Sequence, residues 1–196
     1  MKASYDFRPL EGLYEEWEEL FRSGPEVGMF SYRRGAPATL YGTTDTLICR
    51  ATIGQLELSD EEKARWATRI NSFQSRRSGW YRKSYTLHFR SHSSAYAVAA
   101  LKLLGHAPAY PLRKALRVAK DAGTTRAWLE SVPWSLSWPA SHTVAGLPAI
   151  LLMTDSAPED FWDTYFTWLE KNVRQETGFW SRGLLHRFGI RPLLAK

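Results

Sequence analysis

The chain has 196 residues, 44% apolar and 23% charged, with nine tryptophans beside a net charge of +6. Such a length suits one domain with a full hydrophobic core, and the aromatic content excludes a solvated, disordered chain. Cys49 is the single cysteine, which excludes an intramolecular disulfide and a cysteine-rich zinc cage.

Lys2, Asp6, Arg8 and Glu11 interrupt Met1 to Gly12, so the expectation at the start is a chain without an apolar leader. Leu10 to Arg22 then reads as an N-terminal helix, and residues 1–27 as that helix with a linker. From residue 28 onward the chain repeats with a period near fifty. Gly28-Met29-Phe30, Gly79-Trp80-Tyr81 and Gly178-Phe179-Trp180 each place a glycine before two large apolar residues. The same period sets His92 over His142, each preceded by serine, with Thr43-Thr44-Asp45 as the corresponding stretch of the first unit.

Within each unit a helical hairpin is predicted. Thr43–Leu56, His92–Leu104 and His142–Met153 are nearly uncharged and apolar on most sides, the pattern of buried helices, each entered through Ser or Thr. Their partners are amphipathic. Ser59-Asp60-Glu61-Glu62 is a capping-box sequence followed by Trp66, Ile70 and Phe73 at helical spacing. Pro111 with Leu112, Leu116 and Val118 gives a shorter partner, extended by Arg126–Glu130; Ala157-Pro158-Glu159-Asp160 opens a third, carrying Phe161, Tyr165, Trp168 and Leu169. Strand signals are sparse, so the fold class is all-α, one repeat domain over 28–196 with units near 28–78, 79–133 and 134–177 and a stub at 178–196. The longest apolar stretch, Val144–Met153, is half of the roughly 20 residues that span a bilayer, so no membrane span and a cytoplasmic location are expected.

A hairpin that ends in Gln, a polar spacer, then Gly and aromatics resembles the QW-type repeat of the terpenoid cyclase and protein prenyltransferase superfamily. Here the pattern is Ile70, Gln74, Gly79, Trp80 and Tyr81, with a weaker copy at Leu169 to Trp180 in which Gln175 is displaced. The resemblance implies an (α/α) toroid, inner helices around a cavity and outer helices around them. About three hairpins fit in this chain, fewer than a closed ring needs, which implies a partial toroid or open arc, either closed by a second copy as a homodimer or an excised or reduced form of the ring. It also implies an isoprenoid-type or diphosphate-bearing ligand in the cavity.

Asp45, His92 and His142 are the candidate catalytic residues, because His and Asp converging at helix N-termini suit proton transfer. The alternative for all three is helix capping. Trp134 and Trp138, in a stretch read as a loop before the third inner helix, are candidate ligand-binding residues with Trp80, Tyr81, Arg76 and Arg77. His88 and His92 stand four apart, but no His-Glu-x-x-His arrangement accompanies them; no metal and no cofactor are expected. The cyclase Asp-x-Asp-Asp and Asp-Asp-x-x-Asp runs are missing, and neither a Gly-x-Ser-x-Gly elbow nor a phosphate loop is present.

Thirteen bases and no acid lie between Lys63 and Lys120, a block that creates a positive field over its surface or complements acids elsewhere in the fold. Three readings follow: a cavity binding an apolar, anionic small molecule; a lyase-like toroid acting on an acidic sugar; or a non-catalytic scaffold for an acidic partner. Nucleic acid is disfavoured, since no nucleic-acid-binding motif accompanies the charge.

Overall fold

The computed structural model describes residues 9, 11–82, 89–134, 136–175, 178 and 180. His88, His186 and the stub beyond Trp180 lie outside them. Among the described residues the chain is all-helical: α1 (Glu11–Phe21), α2 (Leu40–Thr52), α3 (Asp60–Ser72), α4 (Arg90–Leu103), α5 (Arg113–Val118), α6 (Ala122–Ser131), α7 (Ser137–Met153) and α8 (Glu159–Asn172). No strand forms among them, only three isolated antiparallel bridges, Arg22–Phe30, Gln74–Tyr81 and Val173–Trp180. No described helix is long and apolar enough to cross a membrane.

Three helices make the inner layer. α4 packs most extensively on α7, and α2 packs on α4. They run parallel, because Tyr41, His92 and His142 meet near their N-terminal ends, while Lys102 at the end of α4 reaches Asp155 just after α7. Small residues permit the close approach. A Cβ on Gly146 would stand 2.8 Å from the carbonyl carbon of Ser91, and the Ser91 hydroxyl donates to the His142 carbonyl at 2.9 Å. Gly42 plays the same part toward the chain at Phe30 and Ser31, where an added Cβ would meet backbone at 2.5 Å.

Each inner helix ends in a left-handed residue: Gly54 (φ 78°), Gly105 (φ 72°) and Asp155 (φ 50°). Behind each, an amide bonds back across the last turn: Gln55 to Arg50 (2.8 Å), His106 to Leu101 (2.9 Å) and Ser156 to Leu151 (3.0 Å). The three bridges fall on the three Gly-aromatic stretches, where Gly28, Gly79 and Gly178 all have positive φ. Gln74 clamps the second of these to the next segment. Its side-chain amide donates to the Gly79 carbonyl (2.8 Å) and the Tyr110 carbonyl (2.7 Å), and its oxygen accepts from the Tyr110 amide (2.9 Å). α1 is tied to α2 by Glu18, almost fully buried, which takes two hydrogen bonds from Arg50.

Helix starts differ from the expectation. α2 begins at Leu40, capped by Thr39, rather than at Thr43. α4 and α7 begin at Arg90 and Ser137, upstream of the Ser-His pairs, so His92 lies in a first turn and His142 in a second. Trp138 and Pro139, read as loop residues, are the first turn of α7, where the missing proline N–H costs nothing.

Pro148, inside α7, has no amide to offer the carbonyl of Val144 one turn back. The Tyr165 hydroxyl of α8 donates to that carbonyl at 3.1 Å, and burial pushes the hydroxyl's pKa up to about 12. Tyr165→Phe leaves a buried acceptor unpaired, and chemical denaturation should show a loss of about 1 kcal/mol. Unchanged stability would mean that water serves the carbonyl instead.

Candidate functional site

The N-terminal ends of α2, α4 and α7 carry a cluster of polar and aromatic rings. The Tyr41 hydroxyl lies 2.8 Å from His92 Nδ1. The His92 and His142 rings are 4.5 Å apart between centroids, and the His142 and Trp138 rings 4.8 Å in edge-on contact. Tyr96 stacks on His92 at 4.8 Å, and Phe89 meets His142 edge-on at 6.1 Å. Tyr41 and His142 are buried, His92 is partly exposed, and Trp138, Phe89 and Tyr96 present 48%, 40% and 38% of their surface to solvent. The cluster is therefore an open aromatic floor with imidazoles set into it.

Burial raises the Tyr41 hydroxyl well above the usual tyrosine range, and the carboxylate of Asp45 and then the Tyr96 hydroxyl add to the rise. Tyr41 thus keeps its proton near neutral pH while its hydroxyl shares a hydrogen bond with His92 Nδ1. Asp45 is one turn further along α2, on the face shared with Tyr41 and Cys49. Burial pushes its carboxyl up to about 6, and burial followed by Asp45 raises the Cys49 thiol. Tyr41, not Asp45, is the residue of α2 level with the two histidines. The expectation of three equivalent positions is corrected accordingly: Tyr41, His92 and His142 each stand thirteen residues before the left-handed residue that ends their helix.

The cluster brings together His92, His142 and Trp138 from the sequence reading, with Asp45 adjoining through Tyr41. Trp134 lies elsewhere, buried and stacked on Trp168 at 5.1 Å, its indole N–H donating to the Leu129 carbonyl at 2.7 Å. Tyr81 is fully buried with its hydroxyl on Asn71 at 2.7 Å, and Trp80 is packed partly buried against the core of α4 to α8. Arg76 and Arg77 are exposed on the turn that the Ser75 amide closes onto the Trp80 carbonyl. The capping alternative does not hold for Asp45, His92 or His142, because the residues that precede α2, α4 and α7 as N-caps are Thr39, Phe89 and Leu136.

Part of the acid-free block is balanced within the fold. Lys63 pairs with Asp60, Arg65 with Glu61, Arg69 with Glu26, and Lys102 with Asp155. Arg82 and Arg90, on the approach to α4, are exposed, as are Arg33 and Arg34 on the approach to α2. Of these, Arg90 is the first residue of α4, two positions before His92. No group of three or more metal-ligating side chains occurs among the described residues.

Comparison of the chain with protein-family models, with curated proteins and with solved structures gave no match.

Proposed function

We propose that the N-terminal ends of α2, α4 and α7 form a binding centre for a small molecule with an apolar body and an anionic group, an isoprenoid-type diphosphate being the type case. The observation that carries this reading is the juxtaposition of His92 and His142 with the exposed rings of Trp138, Tyr96 and Phe89. Aromatic surface takes the apolar body. Imidazole N–H groups, the positive ends of three parallel helices and the nearby arginines take the charge.

The architecture that suits this centre is a partial (α/α) toroid, with α2, α4 and α7 as its inner wall. Support comes from the recurrence of the glycine turns, the left-handed helix ends and the Tyr41, His92, His142 level at one period. A second copy completing the ring belongs to the same reading. Leu103 and Leu152, 46% and 61% exposed, continue the stripes that begin at His92 on α4 and Trp138 on α7. Light scattering of the purified chain tests this part, with a dimer expected and a monomer at all concentrations counting against it.

A second reading has one specific observation in its favour. The hydrogen bond between buried Tyr41 and His92 Nδ1 holds the imidazole in place for proton abstraction, and Trp138 offers a flat face for a sugar ring, as elimination from an acidic sugar would require. Calorimetric titration with geranyl diphosphate, inorganic diphosphate and an oligouronate separates the readings. Geranyl diphosphate should bind tighter than inorganic diphosphate, and His92→Ala or His142→Ala should each weaken it at least about tenfold, a loss of about 1.4 kcal/mol. Binding of the oligouronate alone, with turnover abolished in His92→Ala, would shift the assignment to the sugar. Binding of neither ligand would defeat both.

A further inference from the structure

A separate cavity of about 570 Å³ lies at the opposite end of the inner layer, between the C-terminal halves of α4 and α7 and the short helix α5. Its floor is aliphatic and buried, formed by Val98, Leu112, Ala115 and Ile150. α5 has six residues where α3, in the preceding hairpin, has thirteen, so the outer layer leaves this stretch of α4 and α7 uncovered. The volume is that of pockets that hold small organic molecules.

Asp155 stands at the mouth in the left-handed conformation, φ 50°. The two other inner helices place glycine at this step; a side chain there carries a conformational cost relative to glycine, one that aspartate bears more easily than most residues. The known partner of the carboxylate does not account for that cost. Lys102 reaches it at 2.8 Å, but the two side chains are 56% and 79% exposed, and such a pair is worth little in solvent. A carboxylate thus lines an apolar cavity at the step where the other two helices carry glycine. The negative ends of two parallel helices face the same region.

We propose that this cavity is a binding site for an aromatic or aliphatic amine, its apolar body on the Val98–Ile150 floor and its ammonium on Asp155, with Lys102 turned out to solvent. The site is independent of the histidine cluster, so success or failure here leaves that reading where it stands. The probe is tryptamine, compared with the neutral tryptophol and the anionic indole-3-propionate, which share its ring and chain length. Methyl NMR on the whole chain reads the site through Leu112, Leu116, Ile150 and Met153.

Tryptamine should shift these methyl signals saturably, at least about tenfold tighter than indole-3-propionate. Asp155→Gly keeps the fold because it installs the residue the backbone prefers. Its melting temperature should equal or exceed that of the parent, while tryptamine affinity falls about tenfold to the level of tryptophol. His142→Ala should leave tryptamine binding unchanged. No saturable shift at the solubility limit, equal affinity for the three probes, or undiminished tryptamine binding in Asp155→Gly would each overturn the proposal.

Discussion

Gly79→Ala is expected to destabilise the protein by about 3–5 kcal/mol in urea unfolding. Gly79 has φ 74°, where an alanine pays about 1 kcal/mol or more for its conformation alone. Its Cβ would also stand 2.1 Å from the Pro111 carbonyl oxygen and 2.9 Å from the carbonyl carbon, both rigid backbone atoms. Relief requires the 75–80 turn to separate from the 107–111 segment, and overpacking of this kind costs about 1–3 kcal/mol. Separation would in turn stretch the Gln74 bonds to Gly79, which is buried, and to Tyr110, which is partly buried, each worth about 1 kcal/mol. Gly105→Ala is the control. Gly105 has the same backbone conformation, φ 72°, with nothing within 4 Å of an added Cβ, so only the conformational cost of about 1 kcal/mol should appear. Equal losses in the two variants would show that the turn is not held against Pro111 as described.

The contrast between these two glycines also marks what a sequence reader can and cannot recover. That Gly79 opens a recurring turn is legible, since glycine before two large apolar residues recurs along the chain. That the turn is clamped from residue 110 depends on packing 36 positions away. Ser59 and Glu62 announced the start of α3, and both halves of the capping box form, because that signal is local. Ser91 and Ser141 gave a similar signal and were not caps. Their hydroxyls are drawn to the carbonyls of His142 and Trp138, one by a neighbouring helix, so the true starts lie upstream.

This displaced start is the reason Asp45 was set level with the histidines in place of Tyr41. The ends of the helices held the better signal: Gly54 and Gly105, then Asp155 where glycine is absent, each thirteen residues after the cluster position. The two tryptophans four apart, Trp134 and Trp138, illustrate the remaining ambiguity. One side chain is committed to the core by its hydrogen bond to Leu129 and the other is half exposed, a distinction set by where α7 begins.

Asp45→Asn should make the protein more stable near neutral pH while leaving it unchanged in acid. Burial moves the folded-state pKa of Asp45 from an ordinary 3.8 up to about 6, so between those values the folded protein binds more protons at this site than the unfolded chain. Stability contributed by the protonated carboxyl is present below about pH 4 and is lost as pH rises through 6. Above that, the carboxylate is a fixed liability. The full shift corresponds to about 3 kcal/mol, and partial solvent access reduces the expected gain of Asp45→Asn to about 2 kcal/mol at pH 7 to 8. The gain should shrink to nothing near pH 4, which unfolding curves of both proteins across this range would resolve. A gain that stays constant with pH would mean that the carboxyl is not perturbed by burial. A destabilised variant at pH 7 would mean that a hydrogen bond to the carboxylate outweighs its desolvation. On the function proposed above, Asp45 adjoins the cluster one turn from Tyr41 and its bond to His92. The same variant should weaken geranyl diphosphate binding less than His92→Ala does, since Asp45 stands one turn beyond Tyr41, whose hydroxyl is the group bonded to the imidazole. A loss equal to that of His92→Ala would place the carboxylate in direct contact with the ligand.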